Sequence, residues 1–220
     1  MVEVASENDR RTQRRAARRA ENRTEILDAA ELVFGSAGIH EGSLRAIAAE
    51  SGFSPAAIYL FFENKQHLLA ETITRRGDEL NNLLADTAAS CPDPLQSLHR
   101  IIDATIGFFT AHPNFRLLLS HLRGGVTIAG PLAEYAPAVD ARFGVATDLL
   151  AGIVAAGQKR GEIRAGNARM LARLYMVLVN EYVYLSAEPT PAGRANAGLP
   201  TKQFHDLVDG ALRKSGAGTR

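Results

Sequence analysis

The sequence predicts an all-α protein, and three observations carry that expectation. Long segments rich in Ala, Leu, Arg and Glu are punctuated by Gly or Pro. Apolar residues recur at three- and four-residue spacing, and no sustained period-two alternation of strand length appears.

The 220 residues suffice for one large domain or two small ones, either of which buries enough apolar surface to fold without disulfides or metals. The single cysteine, Cys91, cannot form an internal disulfide, which suits a reducing, cytoplasmic setting. No run approaches the ~20 apolar residues of a membrane-spanning helix, and no apolar run follows the basic N-terminus. A soluble, unexported protein without a membrane partner is expected. The net charge of +1 hides an asymmetry: Arg10, Arg11, Arg14, Arg15, Arg18, Arg19 and Arg23 crowd the start.

Residues 1–9 have the polar composition of a disordered tail, and residues 1–21 are expected to form a flexible basic arm. Arg10 to Ala20 favours helix but offers no apolar face; in helical form its arginines would share one cationic face suited to phosphates or a minor groove. The first amphipathic helix is expected from Asn22 to Ala37, with Ile26, Leu27, Ala30, Val33, Phe34 and Ala37 on one stripe. Asn22 with Glu25 resembles a capping box, Thr24 is an alternative cap, and Gly38 suits the position past the last turn.

Ser43 caps a second, short helix containing Leu44, Ile47 and Ala48, which Gly52 ends. Ser54 caps a third, with Pro55 in its first turn and Ile58, Leu60, Phe61 and Phe62 following. From Asn64 a fourth helix turns Leu68, Leu69, Thr72 and Ile73 inward, until Pro92 and Pro94 interrupt the chain. Further helices are expected near 95–111, 114–124, 135–160, 167–187 and 201–214, with breaks at Pro113, from Gly124 to Pro131, from Gly161 to Gly166 and across 189–200.

Two short helices around a glycine-containing turn, supported by a preceding amphipathic helix, match the helix-turn-helix arrangement whose second helix enters the DNA major groove. The run TEILDAAELVFGSAGIHEGSLRAIAAESGFSPAAIYLFFENKQHLL, Thr24 to Leu69, resembles the DNA-binding domain of the tetracycline-repressor (TetR) family of bacterial transcription factors. Ile26, Ala29, Ala30, Phe34, Gly38, Ser43, Ile47, Ala48, Gly52, Ser54, Tyr59, Phe62, Lys65 and Leu68 carry the match.

The resemblance implies a DNA-binding domain over residues 22–69 and an effector-binding and dimerisation domain over 70–220, starting with the connecting helix. It also implies a homodimer joined through its last two long helices, and a ligand-responsive regulator, a repressor by inheritance, that leaves a pseudo-palindromic operator when a small molecule binds. Carried over by position, Ser43 and Arg45 stand at the start of the supporting helix, Ser54, Pro55, Ala56 and Ala57 start the recognition helix, Tyr59 projects from it, and Lys65 opens the next helix. Their hydroxyls, N–H groups and charges suit phosphates, and Arg45 suits a guanine edge. Arg18, Arg19 and Thr24 complete the expected DNA-contacting set.

Phe61 stands where family members often have histidine, and Pro55, Ala56 and Ala57 replace longer polar side chains. Base reading is therefore expected to lean on Arg45, thymine methyl contacts and DNA shape. Ile58 and Phe62 are expected to anchor the helix, with Leu60 and Phe61 left open.

In the C-terminal half, apolar side chains with interspersed polar groups describe either a packed core or a lined cavity. For an apolar or amphipathic effector the candidate residues are Phe109, Phe115, His121, Leu122, Tyr175 and Asn180. Apolar stripes near Ala168–Val179 and Phe204–Leu212 are wide enough for both a core and a second subunit. No metal, cofactor or catalytic motif is expected, so an enzyme is not. The alternative from another class is a helical carrier of hydrophobic ligands that binds no DNA.

Overall fold

The computed structural model describes residues 7–123, 132–185 and 199–214. The expected breaks at Gly124 to Pro131 and across most of 189–200, and the tail before Glu7, lie outside the described residues. Within them the chain is helical: α1 Glu7–Ala37, α2 Leu44–Ser51, α3 Pro55–Ile58, α4 Lys65–Ala89, α5 Pro94–Ala111, α6 Pro113–Arg123, α7 Ala136–Lys159, α8 Ala168–Leu185 and α9 Thr201–Leu212. Among the described residues the one β-type pairing is an isolated bridge between Ile163 and Arg213.

The described residues divide into two units. One comprises those up to Ile73 together with those between Leu117 and Tyr135. The other comprises Thr74–Arg116 and those from Ala136 onward.

In the first unit the expected apolar stripe of α1 becomes core: Ile26, Leu27, Ala30 and Phe34 are buried with Ile47 and Ala48 of α2, Ile58 and Phe62, and Leu68 and Leu69 of α4. Each large side chain so buried contributes roughly 1.5–3 kcal/mol relative to exposure. The expected start of α1 is corrected, since the helix begins at Glu7 and Asn22 is an interior residue rather than a cap. The Arg/Ala-rich run supplies helix propensity even though it offers nothing apolar to bury.

The turn between α1 and α2 contains a close approach. A Cβ on Gly42 would lie 2.8 Å from Phe34 Cδ1 and 2.9 Å from the Gly38 carbonyl oxygen, so only glycine fits there unmoved. α2 ends as its sequence predicts, at Gly52 with φ +72°.

The second unit is a helical bundle. Its core is built from Leu98, Ile101 and Ile102 of α5, Leu150 and Val154 of α7, Ala172, Tyr175 and Val179 of α8, and Phe204, Val208 and Leu212 of α9. Asp93 caps α5, its carboxylate accepting from Gln96 N–H at 2.8 Å, and Pro94 occupies the first turn. At the chain's far end, Arg164 N–H donates to the Leu212 carbonyl at 2.8 Å and Lys214 N–H to that of Glu162 at 3.0 Å, tying the last helix to the α7–α8 turn.

Candidate nucleic-acid interface

The two short helices of the first unit are held at their starts by serine hydroxyls. Ser43 Oγ accepts from Ala46 N–H at 3.1 Å, and Ser54 Oγ accepts from Ala57 N–H at 3.1 Å. Pro55 fills the first turn after Ser54, and α3 is only four residues long. Its helical turn continues irregularly, with Leu60 N–H bonding to Ala57 and Phe61 and Phe62 N–H to Ile58.

Ile58 and Phe62 are buried anchors, as their spacing implies. Ser43, Arg45, Ser54, Pro55 and Ala56 are exposed, Ala57 is half-buried, and Tyr59 is 57% exposed. The open positions resolve differently: Leu60 is 73% exposed, whereas Phe61 is half-buried beneath the Arg19 guanidinium, 5.6 Å from its ring centre.

Arg19 also donates to the Leu60 carbonyl at 3.3 Å. One turn further along α1, Arg23 lies over the Phe62 ring at 5.2 Å and pairs with Glu71. Lys65 donates to the His40 carbonyl at 3.1 Å, and partial burial lowers its pKa, with Glu41 acting in the opposite sense. Thr24 is exposed and turns its hydroxyl back to the Ala20 carbonyl at 3.0 Å; Arg18 is exposed.

A brace that the sequence did not show lies beneath this surface. Tyr135 stacks on His67 at 5.5 Å, its hydroxyl accepts from Asn64 at 3.3 Å, and His67 meets the Phe62 ring edge-on at 5.9 Å. The His67 ring nitrogen Nδ1 accepts from Glu63 N–H at 3.2 Å, fixing the turn that joins α3 to α4.

The expected effector residues fall in both units. Phe109 and Phe115 are buried and stacked at 6.0 Å, with Phe108 edge-on to both. Tyr175 is buried and its hydroxyl donates to the Leu98 carbonyl at 2.6 Å; burial raises its pKa well above 10.0, reinforced by Asp103. Asn180 is half-buried in the second unit. His121 and Leu122 belong to the first unit, where Leu122 is buried and the His121 ring is 3.0 Å from the Gly35 carbonyl of α1. Among the described residues, no group of three or more His, Cys, Asp or Glu side chains could hold a metal ion, and no helix is long and apolar enough to cross a membrane.

An amphipathic support helix, two capped short helices and an exposed, polar outer edge define a helix-turn-helix DNA-binding protein. Residues 26–72 match the model of bacterial regulatory proteins, tetR family. This N-terminal segment is thus similar to the DNA-binding domain of that family. The chain is 27% identical over 175 residues to the HTH-type transcriptional repressor BepR of Brucella suis biovar 1 (strain 1330), covering 77% of this chain and 82% of that one. The fold is shared with FadR from Bacillus subtilis, solved in complex with stearoyl-CoA (TM-score 0.70, 18% identity, 84% of this chain and 96% of that one). It is shared also with AibR, solved with isovaleryl coenzyme A and operator DNA (TM-score 0.67, 20% identity, 87% of this chain and 98% of that one).

Proposed function

We propose that the chain is a homodimeric transcriptional repressor that binds a pseudo-palindromic operator and is released from it by a small apolar or amphipathic effector. The observation that carries this reading is the outer edge of the family-matched domain: Ser43, Arg45, Ser54, Pro55, Ala56 and Tyr59 are exposed around two capped helix starts. The relatives it resembles are regulators rather than enzymes.

In this reading the hydroxyls and free N–H groups at the two helix starts hold phosphates, Arg45 reads a guanine edge, and Tyr59 and Ala57 contact bases or sugars. Thr24 approaches the backbone within the half-site and Arg18 the backbone flanking it. Lys65 does so on leaving the His40 carbonyl, while Arg19 keeps its bond to the Leu60 carbonyl and holds the recognition segment. Residues 1–21 serve as a basic arm, 22–69 as the DNA-binding domain and 70–220 as the effector and dimerisation domain.

Dimerisation is supported by an apolar row on α8. Met170, Leu174 and Val177 are 53%, 53% and 61% exposed at helical spacing, and Leu207 of α9 is exposed as well. An effector of apolar character is supported by the Phe109–Phe115 stack, with the half-buried Asn180 of the same unit as a further candidate contact. AibR, which shares the fold, was solved with both an acyl-coenzyme A and operator DNA. To act as a switch, the effector must favour the DNA-incompetent state by roughly 100-fold, a coupling of about 3 kcal/mol.

The test is selection of bound sequences from a random duplex pool by the purified protein. The reading predicts an enriched palindrome whose half-sites lie about one helical turn, ~34–36 Å, or a multiple of it apart. No enrichment by a folded dimer, with acyl-coenzyme A compounds present or absent, contradicts it.

A further inference from the structure

The arginine-rich start of α1 is neither a tail nor part of the core. α1 runs unbroken from Glu7 to Ala37, and its second half is buried in the first unit through Ile26, Leu27, Ala30 and Phe34. The first half therefore projects as a rod of about 20 Å. All residues from Arg10 to Ala20 are exposed. Arg10, Arg11, Arg14, Arg15 and Arg18 make no hydrogen bond or ion pair among the described residues.

The helix divides these cations by direction. At about 3.6 residues per turn, Arg10, Arg14 and Arg18 form one row. Arg14 and Arg18 line an open groove whose wall is Phe53, the residue before the Ser54 cap. The row thus shares the side of the domain that carries the start of the recognition segment. Glu21 and Glu25, on the α1 turns nearer the core, also line this groove, so an anion is favoured toward Arg14 and Arg10. Arg19 faces another way, on to the Leu60 carbonyl and the Phe61 ring, at the other end of the same segment.

We infer that Arg10, Arg14 and Arg18 form a second DNA-contacting element that binds backbone phosphates of the duplex flanking each half-site, with Arg19 as the positioning residue that fixes this rod to the recognition segment. The inference rests on the DNA-binding reading above. An unpaired guanidinium row on a helix matches the charge of a phosphate backbone and carries no base code, so it adds affinity and salt dependence without altering the sequence read.

The test uses the full-length protein, the selected operator embedded in a long duplex, and the same operator trimmed to its palindrome. For R10Q/R14Q/R18Q, the slope of log Kobs against log salt on the long duplex falls by about 0.9 for each phosphate that is no longer neutralised, up to about 3 per protomer. Base preference stays unchanged, and parent and variant bind the trimmed duplex alike. The triple lysine variant restores the slope. Arg19→Ala lowers the preference for operator over scrambled duplex about fivefold, the scale of one hydrogen bond, while the slope holds. A triple glutamine variant that matches the parent on the long duplex overturns the inference. Equal weakening on long and trimmed duplexes overturns the flanking placement. A parent that binds no duplex overturns the DNA-binding reading itself, and the inference with it.

Discussion

In the first unit, Ser43 and Ser54 turn back on their own helices while Arg45 and Tyr59 stand exposed beside them. In the second, several buried or half-buried polar side chains meet partners within the unit. The Tyr175 hydroxyl donates to the Leu98 carbonyl, Thr105 to the Ile101 carbonyl at 2.7 Å, and the Tyr182 hydroxyl to the Leu199 carbonyl at 3.1 Å. His99 meets Asp209 at 2.8 Å and stacks on His205 at 4.6 Å. The difference separates two uses of polarity. Buried groups must be answered because an orphan costs free energy, so their presence reports on stability. Exposed groups around a fixed helix start need no internal partner, and these are the ones available to a second molecule.

The largest effect expected from this contrast is at Tyr175. Tyr175→Ala should cost about 3–5 kcal/mol of stability through the cavity and the orphaned Leu98 carbonyl, measured by denaturant unfolding. If the residue instead reserves space for an effector, the loss will be much smaller. Tyr175→Phe isolates the hydroxyl and should cost about 1 kcal/mol.

The same residue makes a pH prediction. Its folded pKa is raised above the unfolded value near 10.0, so its contribution is complete below pH ~10 and is lost as pH rises further. Stability should then fall by up to about 1.4 kcal/mol per pH unit from this group, and Tyr175→Phe should remove that part of the slope.

Gly42→Ala tests the support of the interface. With a Cβ forced against Phe34 and the Gly38 carbonyl, it should destabilise the first unit by about 1–3 kcal/mol and weaken DNA binding in parallel. Arg45→Ala should do the opposite, leaving stability within about 0.5 kcal/mol while reducing operator discrimination by about 1–3 kcal/mol. Smallest is Ser54→Ala, expected to cost about 1 kcal/mol as a lost cap, read by thermal unfolding.

What is legible in the sequence is local. Ser43, Gly52, Ser54 and Pro55 mark helix ends by chemistry that acts within four residues, and all four stand where that chemistry places them. The start of α1 is not legible, because Asn22 and Glu25 imitate a cap inside a run whose propensity carries the helix back to Glu7. Gly42 gives no signal because its constraint is a close approach to the Phe34 ring. The partners of Arg19, Tyr175 and His121 lie 41, 77 and 86 residues away, beyond any spacing rule. For the same reason the sequence does not separate a polar group that lines a cavity from one already satisfied.

The central claim is that the exposed edge from Ser43 to Tyr59 reads DNA. The most direct measurement repeats the random-duplex selection with the parent, Arg45→Ala and Tyr59→Ala proteins, each verified as folded. The account predicts a palindrome for the parent, loss of preference at a defined position of each half-site for Arg45→Ala, and weaker enrichment for Tyr59→Ala. The same palindrome, enriched equally by all three proteins, would contradict it.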